Sequence, residues 1–200
     1  MKSIAFLLIS MLLGNLSARS QSVSQFSIQA GYLYSTPTFT RTTYYLIGLP
    51  DFEPKPGFYA GISYEHSLSP LVTSQIEFTY QQKGHTVKNA FPDEKFGNAF
   101  RYLSITPMVG ITPIKNLRFL IGPQINWLID RSINGAETSQ SKSANRRFEF
   151  GLMGRGSYQF YRVGLSVSYF EGLTAYYKSN FFYLTNQNWQ LGLHYQLDKK

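Results

Sequence analysis

The chain of 200 residues contains no cysteine. It therefore cannot form a disulfide framework, a thiolate metal site, a cysteine nucleophile or a lipid-modified amino-terminal cysteine. Charged residues are also scarce, at 15% of the chain compared with about 25% in an ordinary soluble domain. Aromatic residues make up 16%. A chain with few charges and many aromatic residues does not have the composition of a disordered protein.

The sequence also lacks an apolar run as long as a membrane-spanning helix, which needs about 20 residues. The run Ile4–Leu13 follows a lysine and has the length of the apolar core of a secretory signal. Ala18 and Ser20 place small residues at the −3 and −1 positions of a cleavage site. We therefore predict a signal peptide over residues 1–20 and a single exported domain over residues 21–200.

The remainder of the chain alternates apolar and polar residues with a period of two, which indicates β-strands. In the first run Phe26, Ile28 and Ala30 share one face, and Ser27 and Gln29 lie on the other. The eight runs of this kind cover Phe26–Tyr34, Phe58–Tyr64, Ile76–Tyr80, Leu103–Ile111, Leu117–Trp127, Phe148–Phe160, Val163–Tyr169 and Trp189–Leu197. No segment fits a helical period better, and proline and glycine interrupt the chain too often for helices.

The connections between these runs alternate between long and short. The long ones are predicted at residues 36–56, 84–99, 130–146 and 173–186, and the short ones at residues 68–70, 113–116 and 161–162. Long loops on one rim and short turns on the other are typical of a transmembrane barrel. We therefore predict an all-β fold, an eight-stranded antiparallel up-and-down transmembrane β-barrel with meander topology and both termini on the short-turn side.

The positions of the lysines decide which face of the strands meets lipid. All ten are expected in the leader, the loops, the tail or at strand ends, namely Lys2, Lys55, Lys83, Lys88, Lys95, Lys115, Lys142, Lys178, Lys199 and Lys200. A soluble barrel usually carries lysines over its outer face, where water lies. The pattern favours an apolar face turned outward to lipid over a soluble periplasmic ligand-binding barrel, which stays open as an alternative.

The polar strand faces carry a balanced set of arginines and glutamates. This predicted lumen charge network comprises Glu65, Glu77, Arg118, Arg147, Glu149, Arg155, Arg162 and Glu171. Buried charges are tolerated when they are paired and hydrogen-bonded. Because eight strands leave an interior that side chains fill, we expect a plugged lumen and not an open pore.

Aromatic residues lie near the ends of the apolar faces. Tyrosine and tryptophan favour the lipid–water interface, so these residues are predicted to form an aromatic girdle. Its members are Tyr32, Tyr80, Trp127, Tyr158, Tyr169, Trp189 and Tyr195.

Five segments carry recognisable strand motifs. Ser74–Gly84 ends in Y-Q-Q-K-G, and Tyr102–Pro107 reads Y-L-S-I-T-P. Leu120–Gln124, Phe148–Leu152 and Tyr169–Thr174 contain I-G-P, F-E-F-G and Y-F-E-G-L. They resemble the Y-x-Q-K-G, Y-L-x-I-P, x-G-P, F-D-x-G and Y-x-x-G-L segments of the PorT-like outer-membrane β-barrel proteins of Bacteroidetes, with one extra residue before the proline of the second. The resemblance implies an integral barrel in the outer membrane of a Gram-negative bacterium, and for some relatives a role in protein secretion.

The sequence offers little catalytic chemistry. His66, His85 and His194 have no metal-ligand spacing, and no nucleophile elbow is present. We expect no cofactor, no metal and no enzymatic activity. A small lipid-modifying enzyme remains the alternative, with His85 and Asp93 at the outer rim as its candidate residues.

The basic residues of the loops point to anionic lipid. They are Arg41, Lys55, Lys88, Lys95, Arg131, Lys142, Arg146 and Lys178. Such residues bind phosphates, so we expect contacts with outer-membrane lipid and lipopolysaccharide, and protein partners at the loops. Nucleic acid is excluded as a partner because the basic residues are dispersed and no reading motif accompanies them. We expect a monomer.

Overall fold

A computed structural model describes residues 24–41, 51–88, 95–133, 136–137, 147–178 and 182–197. The predicted signal peptide over residues 1–20 lies outside these residues. The described parts contain eight long strands: β1 (Ser24–Arg41), β2 (Asp51–Ser67), β3 (Val72–Lys88), β4 (Lys95–Ile114), β5 (Leu117–Ile133), β6 (Phe148–Phe160), β7 (Val163–Gly172) and β8 (Phe182–Gln196). Two segments of two residues, Ala136–Glu137 and Tyr177–Lys178, pair with the outer ends of β5 and β8. Across these ranges, no helix has the length and apolar character needed to cross a membrane.

The strands form a closed barrel. Each strand pairs antiparallel with its neighbour in sequence, and β1 pairs with β8 to close the sheet. Cross-strand partners can be followed from Ala30 around the barrel in both directions until the two paths meet on β6. One path arrives at Phe148 and the other at Tyr158, so the sheet closes with an offset of ten residues. Such a stagger accompanies the strand tilt of a barrel. The predicted eight-stranded antiparallel meander is confirmed.

The strands face the way the sequence predicts. Phe78, Ile121 and Leu165 are 50%, 58% and 49% exposed on the outside, whereas Glu77 and Arg155 are 1% and 6% exposed inside. Outward apolar and inward polar side chains are the arrangement of a barrel in lipid. A soluble barrel would have the reverse arrangement, so that alternative is wrong. We call the outward apolar side chains the apolar band.

The strands on the long-connection side are longer than predicted. β3 continues to Lys88 and β4 begins at Lys95, so much of the predicted loop over residues 84–99 is paired strand. β2 already begins at Asp51, with an irregular register between Pro54 and Phe58. Because proline lacks an N–H donor, such an interruption is the expected place for it. The barrel wall thus extends beyond the apolar band.

The seam between β1 and β8 depends on glycine. Gly31 and Gly192 are cross-strand partners, and the buried ring of Tyr59 lies over them. A Cβ atom on Gly31 would lie 2.3 Å from the carbonyl oxygen of Leu191 and 2.7 Å from the Tyr59 ring. No real side chain fits at that distance, so a residue without Cβ is required where the barrel closes.

Candidate functional site

The candidate functional site is the interior of the barrel, where buried arginine, lysine and glutamate side chains form ion pairs. At the end where β1 begins and β8 ends, Arg118 on β5 binds Glu65 on β2 at 2.9 Å, with both side chains largely buried. A cavity of about 20 Å³ adjoins them, which is room for about one water molecule. His194 lines the same cavity and shares a hydrogen bond of 2.6 Å with Gln159.

In the middle of the interior, Arg155 on β6 forms an ion pair with Glu77 on β3. The Nε of Arg155 donates to Ser168 Oγ at 2.7 Å, and Nη1 also donates to Gln29 Oε1 at 3.3 Å. Gln75 Nε2 donates to Glu77 Oε1 at 2.6 Å. The two charges are therefore paired and also hydrogen-bonded to neutral groups, which is what a buried ion pair requires.

Nearer the outer end, Lys83 on β3 pairs with Glu149 on β6 at 3.3 Å, and both side chains are buried. Asn126 Nδ2 donates to Glu149 Oε2 at 2.9 Å. The ammonium of Lys83 also lies 5.1 Å from the ring centre of Tyr102 and 4.6 Å from that of Phe170, which adds cation–π attraction. The prediction that every lysine lies outside the strands or at their ends is wrong for Lys83 and for Lys55, because β3 continues and β2 begins beyond the apolar band.

The interior also contains apolar side chains that the sequence reasoning missed. Met108, Leu120, Met153 and Phe170 form a buried cluster where β4, β5, β6 and β7 face inward. This cluster adjoins the charged pairs, since Phe170 also contacts the ammonium of Lys83. The described interior therefore contains both ion pairs and apolar packing, and β6 contributes to both.

An aromatic cluster lies inside the outer end of the described barrel. It consists of Phe100, Tyr102, Tyr176 and Leu184. His85 joins it, with its ring centre 5.5 Å from that of Phe100 and 6.1 Å from that of Tyr176. We call these five residues the outer cluster. Tyr176 lies in the segment after β7. Its backbone N–H donates to the Leu184 carbonyl at 3.0 Å, which holds the ring over the interior.

The outer cluster lies beyond the apolar band, since β3 passes its last outward aromatic residue at Tyr80 before it reaches His85. Burial and, to a smaller extent, the nearby charge of Arg131 lower the pKa of His85 to about 4. Burial also raises the pKa of Tyr176, with a smaller effect from Glu149. Both side chains are therefore neutral at pH 7.

The structure brings five of the eight predicted network residues together in the interior: Glu65, Glu77, Arg118, Glu149 and Arg155. The other three lie elsewhere. Arg147 is exposed immediately before β6, and Arg162 lies in the turn between β6 and β7, where it donates to Tyr195 Oη at 3.4 Å. Glu171 is on the outward side of β7, where it accepts from Tyr169 Oη at 2.5 Å and from Gln187 Nε2 at 2.9 Å.

The predicted girdle residues all lie on the outward face, exposed or half-buried: Tyr32, Tyr80, Trp127, Tyr158, Tyr169, Trp189 and Tyr195. Several of them pack in pairs with another outward aromatic ring. Tyr169 and Trp189 have ring centres 4.8 Å apart, and Trp127 and Phe148 stack with centres 6.3 Å apart.

Other predicted residues have different surroundings. His85, expected at the start of a loop, lies inside β3, and Asp93 lies outside the described residues. Arg131 turns inward, with its guanidinium 5.2 Å from the Phe100 ring centre and Nη2 donating to Asn98 Oδ1 at 3.0 Å. Lys142 and Arg146 also lie outside the described residues. Among the side chains that the structure describes, no group of three potential metal ligands occurs.

The family described as outer membrane protein beta-barrel domain matches residues 17–178. The chain belongs to this family. Its fold is similar to that of outer membrane protein OprG from Pseudomonas aeruginosa, with a TM-score of 0.50, 11% identity, and coverage of 89% of this chain and 98% of OprG. It is also similar to Neisserial surface protein A, with a TM-score of 0.53, 12% identity, and coverage of 86% and 98%. No curated protein matches the chain.

Membership of this family places the chain in the outer membrane. The two solved structures agree with the fold, and at such low identity they say no more than that. This location explains the outward apolar band, because lipid surrounds the wall of the barrel. It also explains why the interior charges are paired, because water is scarce inside a narrow barrel.

Proposed function

We propose that this outer-membrane barrel is a closed, non-enzymatic protein that acts through its outer face, where it contacts lipopolysaccharide and protein partners. The observation that supports the proposal is the series of buried contacts inside the barrel. Three ion pairs, an apolar cluster and the outer cluster lie at successive levels of its described interior. A protein closed in this way offers partners its wall and its rim.

Conductance measurements test the closed interior. The purified barrel in a planar lipid bilayer should give no stepwise ionic current, whereas a large porin in the same bilayer gives well-resolved steps. The variant Tyr176→Ala thins the outer cluster but leaves the three ion pairs in place, so it should also be silent. Stable conductance steps from the unmodified barrel would overturn the proposal.

The surroundings of His85 support a non-enzymatic role. Its ring nitrogens lie 3.4 Å from Asn98 Nδ2 and 3.4 Å from Tyr176 Oη, and its faces pack against aromatic rings. Its neutral, buried state suits packing better than proton transfer to a lipid at the rim. Lipid hydrolysis and acyl-transfer assays should give the same background rate for the unmodified chain and for His85→Ala. An activity that His85→Ala abolishes would favour the lipid-modifying enzyme.

The finer assignment is part of the same proposal. We infer from the motifs at Ser74–Gly84 and Tyr169–Thr174 that the chain is a PorT-like protein of Bacteroidetes, exported by a signal peptide over residues 1–20, monomeric, and in support of protein secretion. Crosslinking in intact outer membranes, followed by mass spectrometry of the captured proteins, tests this assignment. Secretion components should be enriched over a control barrel of similar abundance. Equal capture by both barrels would contradict the secretion role.

A further inference from the structure

The outer wall of the barrel contains an apolar groove. It crosses β2 to β6, has a volume of about 440 Å³, and is lined among others by Ala60, Phe78, Tyr80, Leu103, Trp127 and Phe148. Its volume is within the range of small-molecule sites, about 300–1,000 Å³. Nearly all of the surface that lines it is apolar, so it suits a hydrocarbon chain.

The groove exists because a small residue lies in a row of large ones. Ala60, Tyr80, Leu103, Trp127 and Phe148 are consecutive cross-strand partners, and only alanine among them has a side chain of one carbon. At the far side, the stacked rings of Trp127 and Phe148 form a wall. A slot bounded by rigid rings accepts one extended acyl chain with little loss of side-chain freedom, because the rings are already held by packing.

Positive charge lies at the outer end of the groove. Arg101 is two residues before Leu103 on the same face of β4, where it forms an ion pair with Asp130. Arg147 is exposed and directly precedes Phe148. Arginine binds phosphate through two parallel hydrogen bonds. Arg101, Asp130 and Arg147 together leave a net positive charge at this end of the groove. An apolar slot with such a charge at one end is complementary to a lipid that carries a phosphate.

The strand ends beside this charge lead into the long connections, on the rim opposite the start of β1 and the end of β8. In an outer-membrane barrel that rim faces the outside. We propose that the groove is a binding site for lipopolysaccharide, which places one acyl chain along Ala60 and a phosphate against Arg147 and Arg101. This inference rests on the proposed function and gives its lipid contact a definite position on the wall.

The two tryptophans of the chain provide a matched pair of probes. Trp127 lines the groove and Trp189 does not, yet both lie on the outer wall with similar exposure, 52% and 57%. The variant Trp189→Phe keeps only Trp127, so its fluorescence reports on the groove. The variant Trp127→Phe keeps only Trp189, so its fluorescence reports on a control site. Each is placed in phosphatidylcholine vesicles that contain a small fraction of phosphatidic acid with brominated acyl chains, which quench a neighbouring indole.

The expected result is stronger quenching of Trp127, with an apparent association constant at least threefold that of Trp189. Brominated phosphatidylcholine should quench both equally. Adding unlabelled rough-type lipopolysaccharide should restore the fluorescence of Trp127 and leave Trp189 unchanged. Equal quenching by the brominated phosphatidic acid would overturn the site, and failure of lipopolysaccharide to displace it would overturn the assignment of the ligand.

Substitutions separate the groove from the rest of the wall. Ala60→Leu fills the floor and should remove the preference of Trp127 for the anionic lipid. Ala30→Leu is the control, because Ala30 faces outward as the cross-strand partner of Ala60 but does not line the groove. Arg147→Gln should reduce the preference severalfold without closing the slot. Unchanged quenching in Ala60→Leu, with the fold verified by heat-modifiable gel mobility, would contradict the proposal.

A second copy of the chain is the competing occupant. Sedimentation in detergent measures this directly, and a dimer that Ala60→Leu dissociates would assign the groove to self-association instead of lipid. The conductance experiment on the closed interior does not depend on the groove. If the quenching shows no lipid preference at Trp127 and the unmodified barrel gives no current, the groove assignment is refuted and the proposed closed interior still stands.

Discussion

The ion pair between Glu77 and Arg155 gives the sharpest test of a dry, closed interior. Its side chains are only 2% and 4% exposed. The substitution Glu77→Gln keeps the size of the side chain but leaves the guanidinium without its counter-charge. Removing one partner of a buried pair costs about 3–5 kcal/mol, because the remaining charge is desolvated and uncompensated.

The same change at a wetter site provides the control. Asp130 pairs with Arg101 on the outside of the barrel, where the side chains are 29% and 37% exposed. Asp130→Asn is therefore expected to cost about 0.2–1 kcal/mol, as exposed pairs do. The structure thus predicts a clear difference between two carboxylate-to-amide substitutions.

Urea unfolding of the barrel in lipid vesicles, followed by tryptophan fluorescence, measures both costs. With a denaturant slope of about 2 kcal/mol per molar, a loss of about 4 kcal/mol lowers the unfolding midpoint by about 2 M. Replacing both partners, as in Glu77→Gln with Arg155→Met, should recover much of the loss, because no unpaired charge then remains. Equal small costs for Glu77→Gln and Asp130→Asn would refute the reasoning and would mean that the interior is as hydrated as the surface.

Three further substitutions test other parts of the barrel. Leu165→Arg puts a charge in the apolar band and should lower the unfolding free energy in vesicles by about 2–4 kcal/mol. Little or no loss would mean that this position meets water and not lipid. Gly31→Val should destabilise the seam by about 1–3 kcal/mol, whereas Gly154→Ala should be neutral because a Cβ added there meets nothing within 4 Å. Equal costs would contradict the close approach of the β8 backbone and the Tyr59 ring to Gly31. Because the folded pKa of His85, about 4, is below its ordinary 6.5, the unfolded chain takes up the proton first, so stability should fall as the pH drops from 6.5 to 4. That fall should be smaller in His85→Phe, and identical pH profiles would contradict burial of the ring.

The fold was predictable because one physical rule governs the whole wall. Alternate residues of a strand face opposite sides, and in lipid the apolar set must face out. The same rule contained information that the sequence reasoning did not use. Phe170 alternates with Ser168 on the polar side of β7, which places it inside, and Glu171 alternates with Tyr169, which places it outside.

The ends of the strands were not predictable in the same way. Beyond the apolar band the outer face of the wall is no longer apolar, and the inner face packs in part against the aromatic outer cluster. The alternation that marks a strand therefore disappears from the sequence. Lys83 and His85 lie in such a stretch of β3 and resembled loop residues. Their burial depends on partners that are distant in sequence, Glu149 and Tyr176, and no local pattern identifies such partners.

The central claim is that apolar side chains face lipid and charged side chains fill the barrel. Because the chain has no cysteine, single cysteines introduced at neighbouring positions of β7 accept a nitroxide spin label without background. Labels at Leu165 and Val167 should collide often with oxygen, which dissolves in lipid, and rarely with a water-soluble nickel chelate. A label at Ser166 should show low accessibility to both reagents. Frequent collisions of the nickel chelate with labels at Leu165 and Val167 would contradict the account.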